Sequence, residues 1–437
     1  MRCLAALTVL ALSWCSTSVP AQAQVDAATL EARLEFSLAP LVEARDLSGV
    51  IAFRTGDGPI RVISLGYADW ESGARFSDRT RFPAGSMTRT LTRAMADRML
   101  EADLLRLGDP LDRYLPDLAG AGSLTVADLV NRTGRIAPVA ASRTAWVPPE
   151  AASANAMALD DAALARVIEI ARNARFETLV ASRFLGPLNL DDSLLLDRHP
   201  DLPALATGYE PGPRPLDLRQ TPDPVILTGH DGLYTTAPDL VRLGQAVLQR
   251  RIDLFRPDGQ MEAGWQVRLR DGFAIYSLSS AQPGYRTGIL ALSPTELVVA
   301  YAVNIDAYPA EALDELILDL AFNRAASLPV RPATAALDPA LLQAVGTYES
   351  AILGPVELVQ AEGGLDIRLP QSGRQDYLTP IGPDRLFWRR IGAELQLERD
   401  EAGRVIRITG HRITDSTARP ILLERSDLPP VAVDTAN

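Results

Sequence analysis

Hydrophobic side chains in the N-terminal part of the chain follow first a helical spacing and then a strand-like pattern. Residues 26–46 place leucines three to four positions apart, which predicts an amphipathic helix. Its buried face would consist of Leu30, Leu34, Leu38 and Leu41. The segment GVIAFRTGDGPIRVISLGYAD follows, with two apolar stretches around a Gly/Asp/Pro turn. This arrangement predicts a β-hairpin.

A second helix is expected from the segment PAGSMTRTLTR, residues 83–93, onward. Its buried face would consist of Met87, Leu91, Met95 and Met99. Residues 120–250 have a mainly helical pattern, residues 288–304 predict another hairpin, and residues 309–326 predict a closing amphipathic helix. The sequence therefore predicts an α+β fold, with an antiparallel sheet flanked by helices and an inserted helical subdomain.

The C-terminal part of the chain has a different pattern. Residues 327–341 are rich in proline and alanine and predict a linker. From residue 342 to residue 437, short alternating stretches are separated by turn sequences, which predicts a small all-β domain. We therefore expect a main domain over residues 24–326, a linker over 327–341 and a β domain over 342–437.

The first 23 residues have the pattern of a signal peptide. Arg2 supplies a charged start, residues 3–14 form an apolar stretch, and AQA at residues 21–23 is a small-residue cleavage site. The apolar stretch is too short to span a membrane, so we expect export to the periplasm or the exterior. Both cysteines of the chain, Cys3 and Cys15, lie in this leader. The mature protein would therefore have no disulfide and no thiol chemistry.

Charge and composition exclude several classes of function. The 43 basic and 55 acidic residues among 437 give a net charge of −12, which disfavours general binding to nucleic acid or anionic membranes. All 43 basic residues are arginine, so no lysine amine can act as a base or nucleophile. The sequence contains no metal-ligand spacing, phosphate-binding glycine loop or dinucleotide fingerprint. We therefore expect no metal and no cofactor.

The candidate chemistry begins with Ser86 and Arg89, which lie three residues apart at the start of the predicted second helix. This spacing places the two side chains on one helical face. Ser86 could be a nucleophile with a basic partner, or simply a helix N-cap. A guanidinium group has a pKa above about 12 and no lone pair to offer, so Arg89 cannot act as a base at neutral pH.

Four stretches resemble the serine β-lactamase and penicillin-binding-protein superfamily, most closely its class C, esterase and D-amino-acid peptidase branch. They are GYADWESGARFSDRTRFPAGSMTRTLTRAMADRMLEADLLRLGDPLDRYLPDL (66–118), LTVADLVNRTG (124–134), TGHDGLYTTAPDLVRLG (228–244) and YSLSSAQPGYRTGILALSP (276–294). The C-terminal part, from GTYES onward, is similar to the lipocalin-like domain often appended to these hydrolases. The resemblance implies serine acyl-transfer chemistry and a small-molecule, peptide or cell-wall-related ligand.

The resemblance implies that Ser86 stands at the acylated serine and Arg89 at the family's lysine. Ser153 stands where the family has a motif tyrosine, and Asn155 keeps the last position of that motif. A serine hydroxyl is a much weaker acid than a phenol, so Ser153 would replace the tyrosine poorly. The alternative interpretation of this segment is a polar loop without a role.

The family's substrate-anchoring strand motif aligns with Leu278, Ser279 and Ser280. Leu278 offers neither charge nor hydrogen-bond donor, and Ser280 replaces a glycine that lets the substrate backbone approach closely. These three could alternatively be ordinary strand residues. The resemblance assigns the oxyanion hole to the backbone N–H groups of Ser86 and Ala281, and we expect it to persist because backbone donors survive most substitutions.

His230 is the histidine that we expect at the rim of the cleft. Paired with Asp231 or Asp239 it could serve as a substitute base, or it could be a surface histidine. Because the family's lysine and tyrosine are both replaced, we expect an exported, catalytically impaired protein that binds a ligand in the cleft. The alternative is an active serine hydrolase (esterase, amidase or peptidase) in which Ser86 attacks through an unrecognised base such as His230.

Overall fold

The structure is a computed structural model that describes most of the chain between residues 25 and 426. The described ranges are 25–118, 120–134, 136, 156–197, 204–212, 216–224, 226–252, 264–305, 307, 310–326, 332–413 and 419–426. The predicted leader over residues 1–23 lies outside these ranges, as do Ser153 and Asn155.

The described helices include the two predicted at the ends of the main domain. They are α1 (Ala27–Glu43), α2 (Thr88–Glu101), α3 (Val126–Val130), α4 (Ala156–Arg172), α5 (Phe176–Val180), α6 (Ala237–Leu248) and α7 (Ala310–Ala321). Helix α1 begins where the Asp26 carboxylate accepts hydrogen bonds from the backbone N–H groups of Ala28 and Thr29, both at 3.0 Å. Its four predicted leucines are buried, which confirms the amphipathic helix.

The strands divide between a main sheet, two small sheets and a barrel. The strands before the barrel are β1 (Gly49–Thr55), β2 (Arg61–Leu65), β3 (Phe82–Pro83), β4 (Leu194–Leu195), β5 (Tyr209–Pro211), β6 (Leu218–Gln220), β7 (Leu233–Thr235), β8 (Gln266–Arg270), β9 (Phe273–Gln282), β10 (Tyr285–Ser293) and β11 (Leu297–Val303). The barrel strands are β12 (Gly346–Ser350), β13 (Gly354–Ala361), β14 (Gly364–Leu369), β15 (Arg374–Gly382), β16 (Arg385–Trp388), β17 (Ala393–Arg399), β18 (Val405–Arg412) and β19 (Ile421–Arg425).

The main sheet is antiparallel, with strand order β2-β1-β11-β10-β9-β8, and includes both predicted hairpins. Every residue of β11 is buried, because the sheet is covered on both faces. Val298 and Ala300 belong to the core shared with α2, α4 and α6, whereas Val299 and Tyr301 belong to the core shared with α1 and α7. The α+β architecture of helices on an antiparallel sheet is therefore confirmed.

The helical block between the hairpins rests on one face of the main sheet. Helix α6 packs against β1, β10 and β11, and α2 packs against α4 and α5. The buried stripe predicted for α2 is confirmed, since Met87, Leu91, Met95 and Met99 all lie in this core. Strands β3, β7 and β4 form a small sheet that carries the start of α2.

The C-terminal strands β12 to β19 form a closed antiparallel barrel. Each strand alternates inward apolar residues with outward polar ones, as in β17, where Ala393, Leu395 and Leu397 are buried. The inward residues form one separate core around Trp388 and Tyr348. The small all-β domain is thus confirmed, and closure into eight strands fits a lipocalin-like barrel.

Candidate active site

Ser86 lies in a short 3₁₀ turn, Gly85–Met87, immediately before α2. The preceding strand β3 pairs with β7, and the backbone N–H of Ala84 donates to the carbonyl of Leu233 at 2.7 Å. Met87, not Ser86, occupies the N-cap position of α2. The alternative in which Ser86 merely caps the helix is therefore wrong.

Thr88 fastens this turn to the small sheet. Its buried hydroxyl donates to the Gly85 carbonyl at 2.8 Å and accepts from the Leu233 N–H at 3.0 Å. One hydroxyl thus satisfies two backbone groups on two elements, which holds the Ser86 turn in a fixed place.

The Ser280 side chain contacts both groups of Ser86 that the family chemistry would use. The backbone N–H of Ser86 donates to Ser280 Oγ at 3.0 Å, and the two hydroxyl oxygens lie 3.2 Å apart. The Ser86 N–H that the resemblance assigns to the oxyanion hole is present, and in the structure it donates to the Ser280 hydroxyl. A glycine at position 280 would leave this donor open, whereas the serine hydroxyl now accepts from it.

Strand β9 places the other motif residues on two faces. Leu278, at the family's cationic position, is buried among the apolar residues between sheet and helices. Ser280 shares that face, because side chains two apart on a strand point the same way. Ser279 and Ala281 are exposed on the opposite face. Among the aligned strand residues, Ser280 is therefore the one whose side chain contacts Ser86.

Arg89 is half-buried and packs tightly against the chain just before β8. A Cβ placed on Gly264 would lie 1.4 Å from Arg89 Nη2, and Gly264 has φ +102°. Only glycine suits that position, both for its backbone conformation and for the guanidinium beside it. The next residue, Trp265, donates from its indole N–H to the hydroxyl of Thr90 at 3.1 Å. Two successive residues of α2 thus contact this segment.

His230 pairs with a carboxylate that we did not predict. Its Nδ1 lies 2.7 Å from Asp161 Oδ2 on α4, and Arg132 Nη2 lies 2.8 Å from the same oxygen. All three side chains are largely buried. The predicted pairing of His230 with Asp231 or Asp239 is therefore wrong.

Those two aspartates have other partners. Asp231 accepts a hydrogen bond from the Gln282 side chain at 3.2 Å, and burial raises the pKa of its carboxyl. Asp239 lies in the first turn of α6 and accepts from the Ser193 hydroxyl at 2.7 Å. Burial raises the pKa of Asp239 as well, despite its ion pair with Arg242. Its hydrogen bonds fix the start of α6, which is a structural role.

Two further observations concern ligands and membranes. Within the described ranges, no three His, Cys, Asp or Glu side chains are grouped as metal ligands would be. None of the helices in those ranges is long and apolar enough to cross a membrane.

A family model described as Beta-lactamase matches residues 37–322, which is more than half of the chain. The protein belongs to the β-lactamase family. The match extends from α1 to the end of α7 and includes Ser86, Arg89, His230 and the whole main sheet. This β-lactamase family protein thus has the serine hydrolase scaffold that the sequence motifs implied, followed by the barrel.

Individual relatives match this β-lactamase family protein less closely. A Beta-lactamase of Yersinia enterocolitica is 28% identical over 85 residues, which is 20% of this chain and 22% of that protein. A solved structure of SurE is 21% identical, with a TM-score of 0.53 over 91% of this chain and 99% of its own. A class C beta-lactamase is 15% identical, with a TM-score of 0.53 over 68% of this chain and 96% of its own. These two structural likenesses show the fold alone.

Sequence reasoning missed Arg132 and Asp161. The available signal was Asp160-Asp161, two adjacent carboxylates in the apolar first half of helix α4. Such a pair is rarely buried without partners, and both residues are buried in the structure. The partner His230 lies 69 residues away from Asp161, so spacing could not identify it.

Proposed function

We propose that this β-lactamase family protein is an exported binding protein in which acyl transfer at Ser86 is impaired. The observation that carries the proposal is the environment of Ser86 Oγ. Its one hydrogen-bond partner among the described residues is another neutral hydroxyl, Ser280 Oγ. A serine hydroxyl is a weak nucleophile at its ordinary pKa and needs an adjacent base to react.

The size of the expected loss follows from the parts that are missing. Arg89 keeps a positive charge at the family's lysine position but cannot accept a proton. Removing one member of a catalytic unit costs about 10³–10⁶ in rate. A residual pocket with Ser86, Arg89 and backbone donors can still bind a small molecule or peptide, and cell-wall fragments are the class that the family resemblance favours.

A labelling experiment tests the proposal. The mature protein and its Ser86→Ala variant are incubated with a fluorophosphonate probe, a fluorescent penicillin and a p-nitrophenyl ester. We expect no difference between the two proteins, because no basic group among the described residues forms a hydrogen bond to Ser86 Oγ. Labelling or turnover that disappears in Ser86→Ala would contradict the proposal.

One observation favours an active serine hydrolase as the second candidate. The Asp161 carboxylate holds Nδ1 of His230, as the carboxylate of a catalytic triad holds its histidine, and leaves Nε2 without a hydrogen bond to another described residue. The same labelling assay includes His230→Gln. Under this second candidate, Ser86→Ala and His230→Gln would abolish labelling alike.

A further inference from the structure

The Ser280 hydroxyl stands where a substrate carbonyl oxygen would be stabilised. An oxyanion-hole donor lies about 2.7–3.1 Å from the oxygen that it stabilises. Ser280 Oγ lies 3.0 Å from the Ser86 N–H nitrogen and 3.2 Å from Ser86 Oγ. One oxygen atom of the chain thus satisfies the donor and contacts the nucleophile at the same time.

The surrounding residues accommodate this hydroxyl. Ser280 is buried, and its partner across the strand pair, Thr287, is buried as well. A Cβ on Gly85 would lie 2.6 Å from Ser280 Oγ, so position 85 must lack a side chain for the hydroxyl to fit. Gly85 also has φ +52°, a conformation that glycine adopts most readily.

We propose that Ser280 is an internal plug of the oxyanion hole, and that its hydroxyl blocks the site where an acyl group would be attacked. The inference deepens the proposed function and rests on it. Two separate losses then impair the site: among the described residues no base forms a hydrogen bond to Ser86 Oγ, and the Ser86 N–H already donates to Ser280. The second loss can be reversed by one substitution, Ser280→Gly.

The proposed plug predicts how fast Ser86 reacts with a fluorophosphonate. Ser86 Oγ attacks the phosphorus of a fluorophosphonate, the new O–P bond replaces the P–F bond, fluoride leaves, and the hydroxyl proton passes to water. The phosphoryl oxygen needs the oxyanion hole during this step. In the unmodified protein that position is taken by Ser280 Oγ, so we expect labelling no faster than the background rate of Ser86→Ala even when reagent can enter.

The test compares second-order rate constants for fluorophosphonate labelling in the full mature chain. The variants are Ser280→Gly, Ser280→Ala and Ser280→Gly combined with Ser86→Ala. Ser277→Gly is the matched control, because it makes the same change on β9 at a position three residues from Ser280, on the opposite face of the strand. One oxyanion donor contributes about 10²–10³ to rate, so we expect at least a tenfold increase in Ser280→Gly. The increase should vanish when Ser86 is also replaced, and Ser277→Gly should react as the unmodified protein does.

The two proposals are tested in different proteins, so a failure of one can be distinguished from a failure of the other. A Ser280→Gly variant that melts cooperatively but labels no faster than Ser277→Gly would overturn the plug. Ser280→Ala, which removes only the hydroxyl, gives the same decision if Ser280→Gly does not fold. Labelling of the unmodified protein that exceeds the background rate of Ser86→Ala would instead overturn the proposed impairment, whatever the variants do.

Discussion

Arg89 and Ser280 affect two different requirements of the same reaction step at Ser86. Arg89 affects removal of the Ser86 hydroxyl proton, because a guanidinium cannot accept it. Ser280 affects stabilisation of the negative charge that develops on the substrate oxygen, because its hydroxyl already accepts the hydrogen bond of the Ser86 N–H. Changes that act on one transition state are not independent of each other. Meeting either requirement alone should therefore gain less than meeting both.

We predict this non-additivity for Arg89→Lys and Ser280→Gly. Arg89→Lys alone should leave fluorophosphonate labelling near that of the unmodified protein, since the plug remains. The double variant should react faster than the product of the two single increases, because a neutral lysine amine can take the Ser86 proton once the hole is open. The measurement is a double-mutant cycle of labelling rates. A cycle in which the two increases simply multiply would contradict the coupling.

At the scale of single residues, the sequence could predict which positions matter better than it could predict the contacts of their side chains. Ser86 and Arg89 lie within one contiguous stretch of sequence and Ser279 and Ser280 within another, so the resemblance of these stretches was enough to predict a role for each. What the side chain of Ser280 does could not be predicted, because it depends on a distance across 194 residues of chain. The Asp161 partner of His230 was missed for the same physical reason.

At the scale of elements, the periodic pattern of apolar residues was sufficient to predict a helix or strand wherever that element was long. Helix α1 and strands β1, β10 and β11 were predicted because their apolar residues repeat over two or more turns or pleats. Strands β3, β4 and β7 were not predicted, because two or three residues show no period. Yet β3 and β7 are the elements that hold the Ser86 turn.

The pairing of α7 with β11 gives a prediction about pH. The Tyr301 hydroxyl on β11 donates to Asp314 Oδ1 on α7 at 2.9 Å. Burial raises the pKa of Asp314 from 3.8 to about 7, although the bond from Tyr301 acts in the other direction. Between pH 4 and 7 the folded protein therefore keeps a proton on Asp314 that the unfolded chain has already released. The free energy of unfolding should therefore fall as the pH rises through this interval.

Asp314→Asn isolates this contribution, because the amide keeps the shape of the carboxyl without titrating. Urea unfolding is followed at several pH values between 4 and 8 for both proteins. In the middle of the interval, the slope of the free energy of unfolding against pH should differ between the two proteins by the amount expected for about one bound proton. Parallel curves would show that Asp314 does not hold the proton. The other buried aspartates contribute equally to both curves and cancel.

At the scale of the whole molecule, two adjacent arginines dock the barrel on the main domain. Arg389 pairs with Asp46, just after α1, and also donates to the backbone carbonyl of Ala44 at 3.2 Å. Arg390 joins Asp376 of the barrel at 2.6 Å and Glu210 of the main domain at 2.9 Å. Both guanidinium groups are buried, so this interface excludes water around charged groups.

The whole-molecule arrangement was the least predictable from sequence. The alternating pattern predicted an all-β domain, and closure of the barrel follows from pairing between β12 and β19, its first and last strands. The chain has two adjacent arginine pairs, Arg250-Arg251 and Arg389-Arg390, and nothing in the sequence distinguishes the second as an interface. Contacts between domains depend on surface charges that have no period, so only the three-dimensional arrangement identifies them.

We predict that Asp46→Asn weakens the docking strongly. The substitution removes the carboxylate that faces the buried Arg389 guanidinium, and breaking a buried pair costs about 3–5 kcal/mol. Glu394→Gln is the matched control, because it makes the same acid-to-amide change in the exposed pair with Arg385, where about 1 kcal/mol or less is expected. Urea unfolding followed by tryptophan fluorescence measures both, since Trp388 is buried beside Arg389. Equal losses in the two variants would mean that the Arg389–Asp46 pair does not hold the barrel, and that the apolar and backbone contacts of the interface are sufficient.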